Sequence, residues 1–198
     1  MTVRLIGFIL GFWLTVGLAT SVREVSLEEM LTRSDLVFEG EVIAVEVQEV
    51  PNLRPYTRIL FRVLDVIKGS WREPTIALDF LGGEVGSKRF EVAEMDYPEL
   101  GEHGIYFVES LRRRLVHPLY GWSQGRFITR PDKTGQLRIH SASGQPVVGI
   151  QWATQKRPKR LSRGVAQGVA IRSEALAEEA LALEEFKRRL RRHLQEQR

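Results

Sequence analysis

The chain has 198 residues, a formal net charge of +4 at pH 7 and no cysteine. The absence of cysteine excludes disulfides, makes a structural zinc site improbable and rules out a lipid anchor on a cysteine. The charge is divided unevenly, because residues 22–110 hold 18 acidic and 9 basic side chains whereas residues 111–198 hold 7 and 19. Such a division is typical of solvated faces or of halves that attract each other, and it would also suit an anionic partner.

The first 21 residues predict export. Arg4 precedes an apolar run from Leu5 to Ala19, and small residues at positions 17, 19 and 21 suit cleavage of a signal peptide after Ala19 or Ser21. An uncleaved membrane anchor is the alternative, but the run is interrupted by three glycines and is shorter than the ~20 residues that an apolar span needs. We expect a periplasmic or secreted mature chain, for which nucleic acid is not an expected partner.

Residues 22–154 predict a mainly β domain, an antiparallel OB-like barrel. Ser26 and Glu29 form a capping box that predicts a helix to about Arg33. Residues 36–50 alternate with a period of two but change their apolar face partway, which indicates a bent strand with Gly40 as the candidate bulge. Turn residues separate the further predicted strands, which cover residues 56–68, 75–81, 89–93, 105–108, 115–119, 127–129, 137–140 and 147–150.

The C-terminal part predicts a basic linker over residues 155–172 and an amphipathic helix within residues 173–198, capped by Ser173 and running from about Glu174 to Gln195. Its apolar stripe consists of Leu176, Ala180, Leu183, Phe186, Leu190 and Leu194. The stripe suits docking on the chain's own domain, on a partner or second copy, or on a membrane surface. In the last case the side chains that would contact anionic lipid are Lys187, Arg188, Arg189, Arg191 and Arg192.

Residues 121–125 match the pattern G-x-S-x-G of serine hydrolases, with Ser123 in the nucleophile position. The segments around them do not predict the strand before and the helix after that this motif requires. The candidates for the acid and the histidine of the triad, Asp132 and His140, follow within only seventeen residues. Neither a metal nor a cofactor is expected, because His103, His117, His140 and His193 are scattered without ligand spacing. The glycines of residues 82–86 lack the spacing of a phosphate-binding loop.

Residues 34–42, 56–66 and 67–69 resemble the opening of the netrin-like or tissue-inhibitor-of-metalloproteinases module, an OB-fold barrel, and still more a set of uncharacterised exported bacterial proteins. In those bacterial proteins a similar opening is followed by Gly-Gly-Glu-Val-Gly, Gly-Glu and Gln-Gly, which match residues 82–86, 101–102 and 124–125. The inhibitors bind the zinc of the protease through an N-terminal cysteine, which this chain lacks, so the resemblance implies their fold and not their mechanism.

We therefore expect an exported, non-enzymatic binding module that contacts an envelope or secreted protein, such as a protease, through loops at one end of the barrel. The alternatives are a hydrolase that uses Ser123 and a membrane-surface protein held by its basic C-terminal helix. The candidate binding residues are those of the matched turns together with the neighbouring tryptophan: Gly82, Gly83, Glu84, Gly86, Glu102, Trp122, Gln124 and Gly125.

Overall fold

The computed structural model describes residues 22–49, 54–86, 88–152, 161–162, 164–174 and 176–197. The predicted signal peptide and most of the strongly basic part of the predicted linker lie outside these ranges. None of the helices within them is long and apolar enough to cross a membrane.

The chain folds into a mainly β, antiparallel structure, as the alternating pattern predicts. Helix α1 is Leu27–Arg33 and helix α2 is Leu183–Glu196, and single 3-10 turns cover Trp122–Gly125 and Ala177–Glu179. The strands are β1 (Leu36–Gln48), β2 (Tyr56–Lys68), β3 (Thr75–Leu81), β4 (Gly83–Val85), β5 (Lys88–Phe90), β6 (His103–Val108), β7 (Arg126–Pro131), β8 (Leu137–Ser141), β9 (Val147–Ile150) and β10 (Val169–Ile171).

Six strands form one sheet in the order β3-β2-β1-β6-β7-β8, and β4-β5 and β9-β10 form two small ribbons. All neighbours in the large sheet are antiparallel. Within the described residues no ladder joins β3 to β8, so this sheet is open and no closed barrel is found.

Strand β1 bends as predicted. Its register with β2 shifts at three places, one of them between Glu39 and Gly40. A Cβ atom at Gly40 would lie 2.6 Å from the ring of Phe38 and 2.9 Å from the carbonyl oxygen of Arg62, so a side chain has no room at the bulge. The bent strand contributes to both hydrophobic clusters, Val37 to one and Phe38 to the other.

The two clusters lie on opposite faces of β1. In the first, sheet residues such as Phe107 and Phe127 pack against Phe186 and Leu190 of α2 and against α1. In the second, Phe38, Phe61 and Tyr106 pack with ring centroids 4.7 to 5.6 Å apart. Each fully buried apolar side chain of this size contributes roughly 1.5 to 3 kcal/mol.

The N-terminal cap of α1 is confirmed in part. The amide of Glu29 donates to the Ser26 hydroxyl at 2.9 Å, as a capping box requires. The Glu29 carboxylate, however, accepts from Arg23 at 2.6 Å and from the Tyr120 hydroxyl at 3.0 Å. A tertiary contact therefore takes the place of the expected bond back to the cap.

The predicted start of the last helix near Glu174 is wrong, since α2 begins at Leu183. Leu181 instead bridges two strands: its carbonyl accepts from Ile139 at 2.9 Å and its amide donates to Val147 at 2.8 Å. These bonds hold the segment before α2 out of helical geometry. Leu176 consequently lies outside the apolar stripe and is 63% exposed.

Two further differences concern the regions around this segment. Residues 164–171, which the sequence assigns to a linker, include strand β10 and the buried Ala166. The strand predicted over residues 115–119 is absent from the described fold, where Leu119 forms only an isolated bridge with Val108. The apolar stripe of α2 docks on the chain's own domain, where Leu183, Phe186 and Leu190 are buried.

Candidate functional site

The glycines of the turn at residues 82–86 serve two different purposes. Gly82 and Gly83 have φ of 107° and 142°, and a Cβ atom would lie 2.6 Å from the Tyr97 hydroxyl at the first and 2.7 Å from Val47 at the second. These two positions therefore allow close packing. Glu84 and Gly86 are exposed, and nothing lies within 4 Å of a Cβ atom at Gly86.

Gln124 and Gly125 hold the N-terminal segment in place. The side-chain oxygen of Gln124 accepts from the amide of Val25 at 3.0 Å, and its NH₂ group donates to the carbonyl oxygens of Arg23 at 3.0 Å and Gly121 at 2.9 Å. A Cβ atom at Gly125 would clash with the carbonyl of Tyr120. The observed contacts of both residues are internal.

Glu102 belongs to a buried polar cluster. Its carboxylate accepts from the Tyr106 hydroxyl at 3.0 Å and lies 3.7 Å from Nε of Arg126. Arg126, whose side chain is 5% exposed, also donates to the carboxylate of Asp96 at 2.7 Å. Burial raises the pKa of Glu102, against the opposing effects of Arg126 and Tyr106, and burial beside Glu102 raises the pKa of Tyr106.

Trp122 stacks on His117, with ring centroids 5.2 Å apart. Nδ1 of the buried His117 accepts from the amide of Leu119 at 3.2 Å, so the neutral ring carries its proton on Nε2. Burial, aided by the charge of Arg126, lowers the pKa of His117 to about 3. Nε2 of His117 and Nε of Arg126 have no hydrogen-bond partner among the described residues, and a bound water is the usual acceptor for such donors.

A second polar cluster fastens α2 to the sheet. Nζ of Lys187 pairs with Glu39 at 2.6 Å, Asp65 at 2.8 Å and Glu184 at 2.7 Å. Burial disfavours the charged form of Lys187, but the bonds to the three carboxylates outweigh burial and raise the pKa of Lys187. The bonds from His103 and Lys187 likewise outweigh burial at Glu39 and lower its pKa.

His103 links this cluster to Thr129, with Nε2 at 3.0 Å from Glu39 and Nδ1 at 2.6 Å from the Thr129 hydroxyl. The order carboxylate, imidazole, hydroxyl is that of a catalytic triad. Here Lys187 occupies the other oxygen of Glu39, and the Thr129 hydroxyl donates to the carbonyl of His103 at 3.1 Å. The bond from Lys187 joins this chain of contacts within the sheet to α2.

The basic side chains of α2 are mostly paired within the chain. Lys187 is buried, Arg188 and Arg189 pair with Glu185, and Arg191 pairs with Asp65 at 2.6 Å. Arg192 is exposed. The contact of these residues with anionic lipid stays a prediction, in which Arg188 and Arg192 would be the most accessible side chains.

Ser123 lies in the 3-10 turn Trp122–Gly125, and strand β7 follows this turn directly. The carboxylate of Asp132 is bonded to Thr134 at 2.6 Å and Arg138 at 2.8 Å, and Nδ1 of His140 lies 3.0 Å from the carbonyl of Arg138. Neither side chain is hydrogen-bonded to Ser123 within the described residues. The use of Ser123 as a nucleophile stays a prediction.

Strand β3 forms one edge of the sheet, and its backbone hydrogen bonds alternate. At the two ends of its ladder with β2, the amide of Val63 donates to Pro74 and the amide of Gly82 donates to Pro55, both at 2.8 Å. Because antiparallel strands exchange such bonds at every second residue, the register directs even-numbered residues of β3 toward β2 and odd-numbered ones outward.

Two contacts on the outer side agree with this alternation. The amide of Leu81 donates to the carbonyl of Val116 at 3.0 Å, and the indole N–H of Trp71 donates to the carbonyl of Thr75 at 3.2 Å. The backbone of β3 is thus covered at both ends of its outer side.

Between these ends lies an open stretch formed by Ala77 and Asp79. By the same alternation their N–H and C=O groups point outward, and no described segment pairs with them. A groove of about 230 Å³ borders them and is bounded on its other side by residues 110–115.

The groove combines an apolar wall with cationic side chains. Trp71 and the exposed Leu111 line the groove with apolar surface, whereas residues 112–114 are three consecutive exposed arginines. Arg114 lies 3.1 Å from the carboxylate of Asp79 and 4.9 Å above the ring of Tyr56. The run of three arginines is visible in the sequence, but only the fold brings it beside an open strand.

The predicted site residues lie in different parts of the fold, and their role in binding stays a prediction. Glu102 contacts Tyr106 and Arg126, and Trp122 stacks on His117, whereas Glu84 and Gly86 are exposed on a separate turn. No group of three or more potential ligands arranged for a metal occurs among the described residues. Comparison with models of protein families, with curated proteins and with solved structures finds no match for this chain.

Proposed function

We propose that the chain is an exported, non-enzymatic binding module that recognises another protein of the envelope or extracellular space through the groove beside β3. The observation that carries this proposal is the open backbone of Ala77 and Asp79 next to that groove. An unpaired strand edge offers backbone donors and acceptors to an incoming segment, and the adjoining groove gives its side chains a place.

The distribution of the other polar groups supports this choice. The clusters around Lys187 and Arg126 are internal and hold α2 and the loop containing Asp96. The basic loop at residues 112–114, in contrast, is exposed. We retain an OB-like barrel in partly open form as part of the proposal, because a long bulged first strand allows one strand to contribute to two faces of such a fold.

The proposal is tested by site-specific photo-crosslinking in cells that produce the full chain. A photoreactive residue at Ala77 is compared with one at exposed Gln136, in the turn before β8 on the other side of the sheet. We expect a discrete crosslinked protein from position 77 and none from position 136. Absence of a crosslink from position 77, or identical products from both positions, would contradict the proposal.

A further inference from the structure

We propose that the segment bound at this edge is an extended, acidic stretch of polypeptide that adds to β3 as a further strand. This inference rests on the proposed function and specifies the chemistry of the partner.

The backbone of β3 determines the form of the ligand. Ala77 and Asp79 are separated by one residue and direct two N–H and two C=O groups outward. An antiparallel strand satisfies all four through two of its own residues that are likewise separated by one. A helix cannot do this, because its backbone groups are bonded internally.

The two faces of β3 determine the side chains of the ligand. Residues opposite Ala77 and Asp79 share the face that carries Arg58 and Arg114, which both bind the Asp79 carboxylate. The residue between them shares the face of Leu78, which is buried in the second hydrophobic cluster. The geometry favours acidic residues at alternate positions with an apolar residue between them.

The charge of the groove supports an acidic ligand. Arg112 and Arg113 are exposed beside it, and the nearest acidic partner of Arg113, Glu109, is 4.0 Å away. Asp79 does not present a free negative charge to an approaching strand, since the bond from Arg58 foremost lowers its pKa and Arg114 binds its second oxygen. The charge that remains available at the groove is positive.

Charged residues on an edge strand also protect proteins from unwanted strand pairing, which is the competing explanation for Asp79. That explanation requires a free charge, which pairing with another strand would bury or place opposite a like charge. A carboxylate held by Arg58 at 2.7 Å and by Arg114 at 3.1 Å is neutralised by both, so it repels an acidic strand weakly. The protective explanation would fit an Asp79 without ion-pair partners better than the Asp79 observed, which is paired with two arginines.

The test measures binding of fluorescent peptides to the full chain by anisotropy. The probe is a peptide of about nine residues that alternates Glu and Val, long enough to span the open stretch. One comparison peptide alternates Lys and Val. Another is the Glu/Val peptide with N-methyl groups on its Glu residues, whose amides would otherwise bond to β3. We expect the Glu/Val peptide to bind at least about tenfold more tightly than either, because charge complementarity and backbone bonds both contribute.

Variants of the chain locate the binding. Arg112→Glu combined with Arg113→Glu reverses the charge of the groove, and Ala77→Pro removes one outward N–H at a place where an edge strand tolerates proline. We expect each to weaken binding at least about tenfold. Arg192→Glu changes an equally exposed charge on α2 and should leave binding unchanged. Circular dichroism and the thermal midpoint identify any variant that has not folded.

Amide hydrogen exchange provides a readout that does not depend on the variants. Adding the Glu/Val peptide should slow exchange at Ala77 and Asp79, and not at Ile139, whose amide already bonds Leu181. Equal binding of the Glu/Val and Lys/Val peptides, equal binding of the N-methylated peptide, or unchanged exchange at both residues would overturn the inference. A protein crosslinked from position 77 would then still support the proposed function, whereas peptide binding without any crosslink would leave only the strand addition standing.

Discussion

The two edge strands of the sheet differ in how their outer backbone groups are covered. On β8 the amide of Ile139 donates to Leu181 at 2.9 Å and that of Ser141 to Gln145 at 2.8 Å, so later segments cover its outer side. On β3 the equivalent outward groups of Ala77 and Asp79 pair with no strand among the described residues. An open edge is a template for pairing. We therefore expect the β8 side to contribute mainly to stability, whereas the recognition that we propose would lie on the β3 side.

The strongest test of the β8 side is Phe186→Ala. Phe186 is fully buried between α2 and the sheet, with its ring centroid 5.1 Å from that of Phe127. Removing the ring should lower the free energy of unfolding by about 4 kcal/mol, because a cavity remains where the helix meets the sheet. Urea denaturation followed by circular dichroism measures the change. A loss below about 1 kcal/mol would mean that α2 contributes little to the fold.

Lys187→Met should have the next largest effect. The Lys187 side chain is only 7% exposed, and the substitution leaves the carboxylates of Glu39 and Asp65 without the cation that joins them. Breaking a buried ion pair on one side costs about 3 kcal/mol. Arg192→Met, which alters an exposed residue of the same helix, should stay within about 0.5 kcal/mol in the same denaturation experiment.

Acid should weaken the β3 side through His117. Its pKa is about 3 in the folded chain and about 6.5 in the unfolded chain, so only the unfolded chain gains this proton as the pH falls from 6.5. Folding stability should therefore drop by about 2 kcal/mol between pH 6.5 and pH 5 on account of this residue.

In His117→Leu that part of the pH dependence should disappear, although the variant loses the acceptor for Leu119 at every pH. Denaturation curves of the two proteins at several pH values separate these effects. Parallel pH profiles would show that His117 titrates normally.

The smallest effect on stability is expected for Ala77→Pro. Its amide points away from β2 and has no described partner, so the folded state should lose less than about 1 kcal/mol. Ser141→Pro is the counterpart on β8 and should cost clearly more, since it removes the bond to Gln145 and a buried hydroxyl that also accepts from Gln145. Equal losses of stability would abolish the difference between the two edges.

Local pattern was sufficient to predict much of the fold. The bounds of α1, β2, β3 and β9 agree with the structure, because each has a clear period and flanking turn or cap residues. The bulge near Gly40 was also readable from the change of apolar face. The start of α2 could not be predicted in this way. Leu181 takes its conformation from bonds to Ile139 and Val147, two residues distant in sequence.

The candidate site was less accessible to prediction. Glu102 and Trp122 were named, but their partners Arg126 and His117 emerge only when β6, β7 and the preceding loop come together. Gln124 carries a pattern that stands out in the sequence, yet its bonds to Arg23 and Val25 give it an internal role. The open stretch of β3 has no signature, because a strand shows the same alternation whether its edge is covered or bare.

The position of α2 along the chain means that one apolar face of the sheet is covered by the last described element. The apolar face of the sheet that includes Phe107 and Phe127 is closed by Phe186 and Leu190, which are synthesised after every strand. During synthesis the chain therefore contains all the described strands before the residues that cover this face have been added. A chain that ends before Leu183 would therefore leave this apolar face of the sheet uncovered.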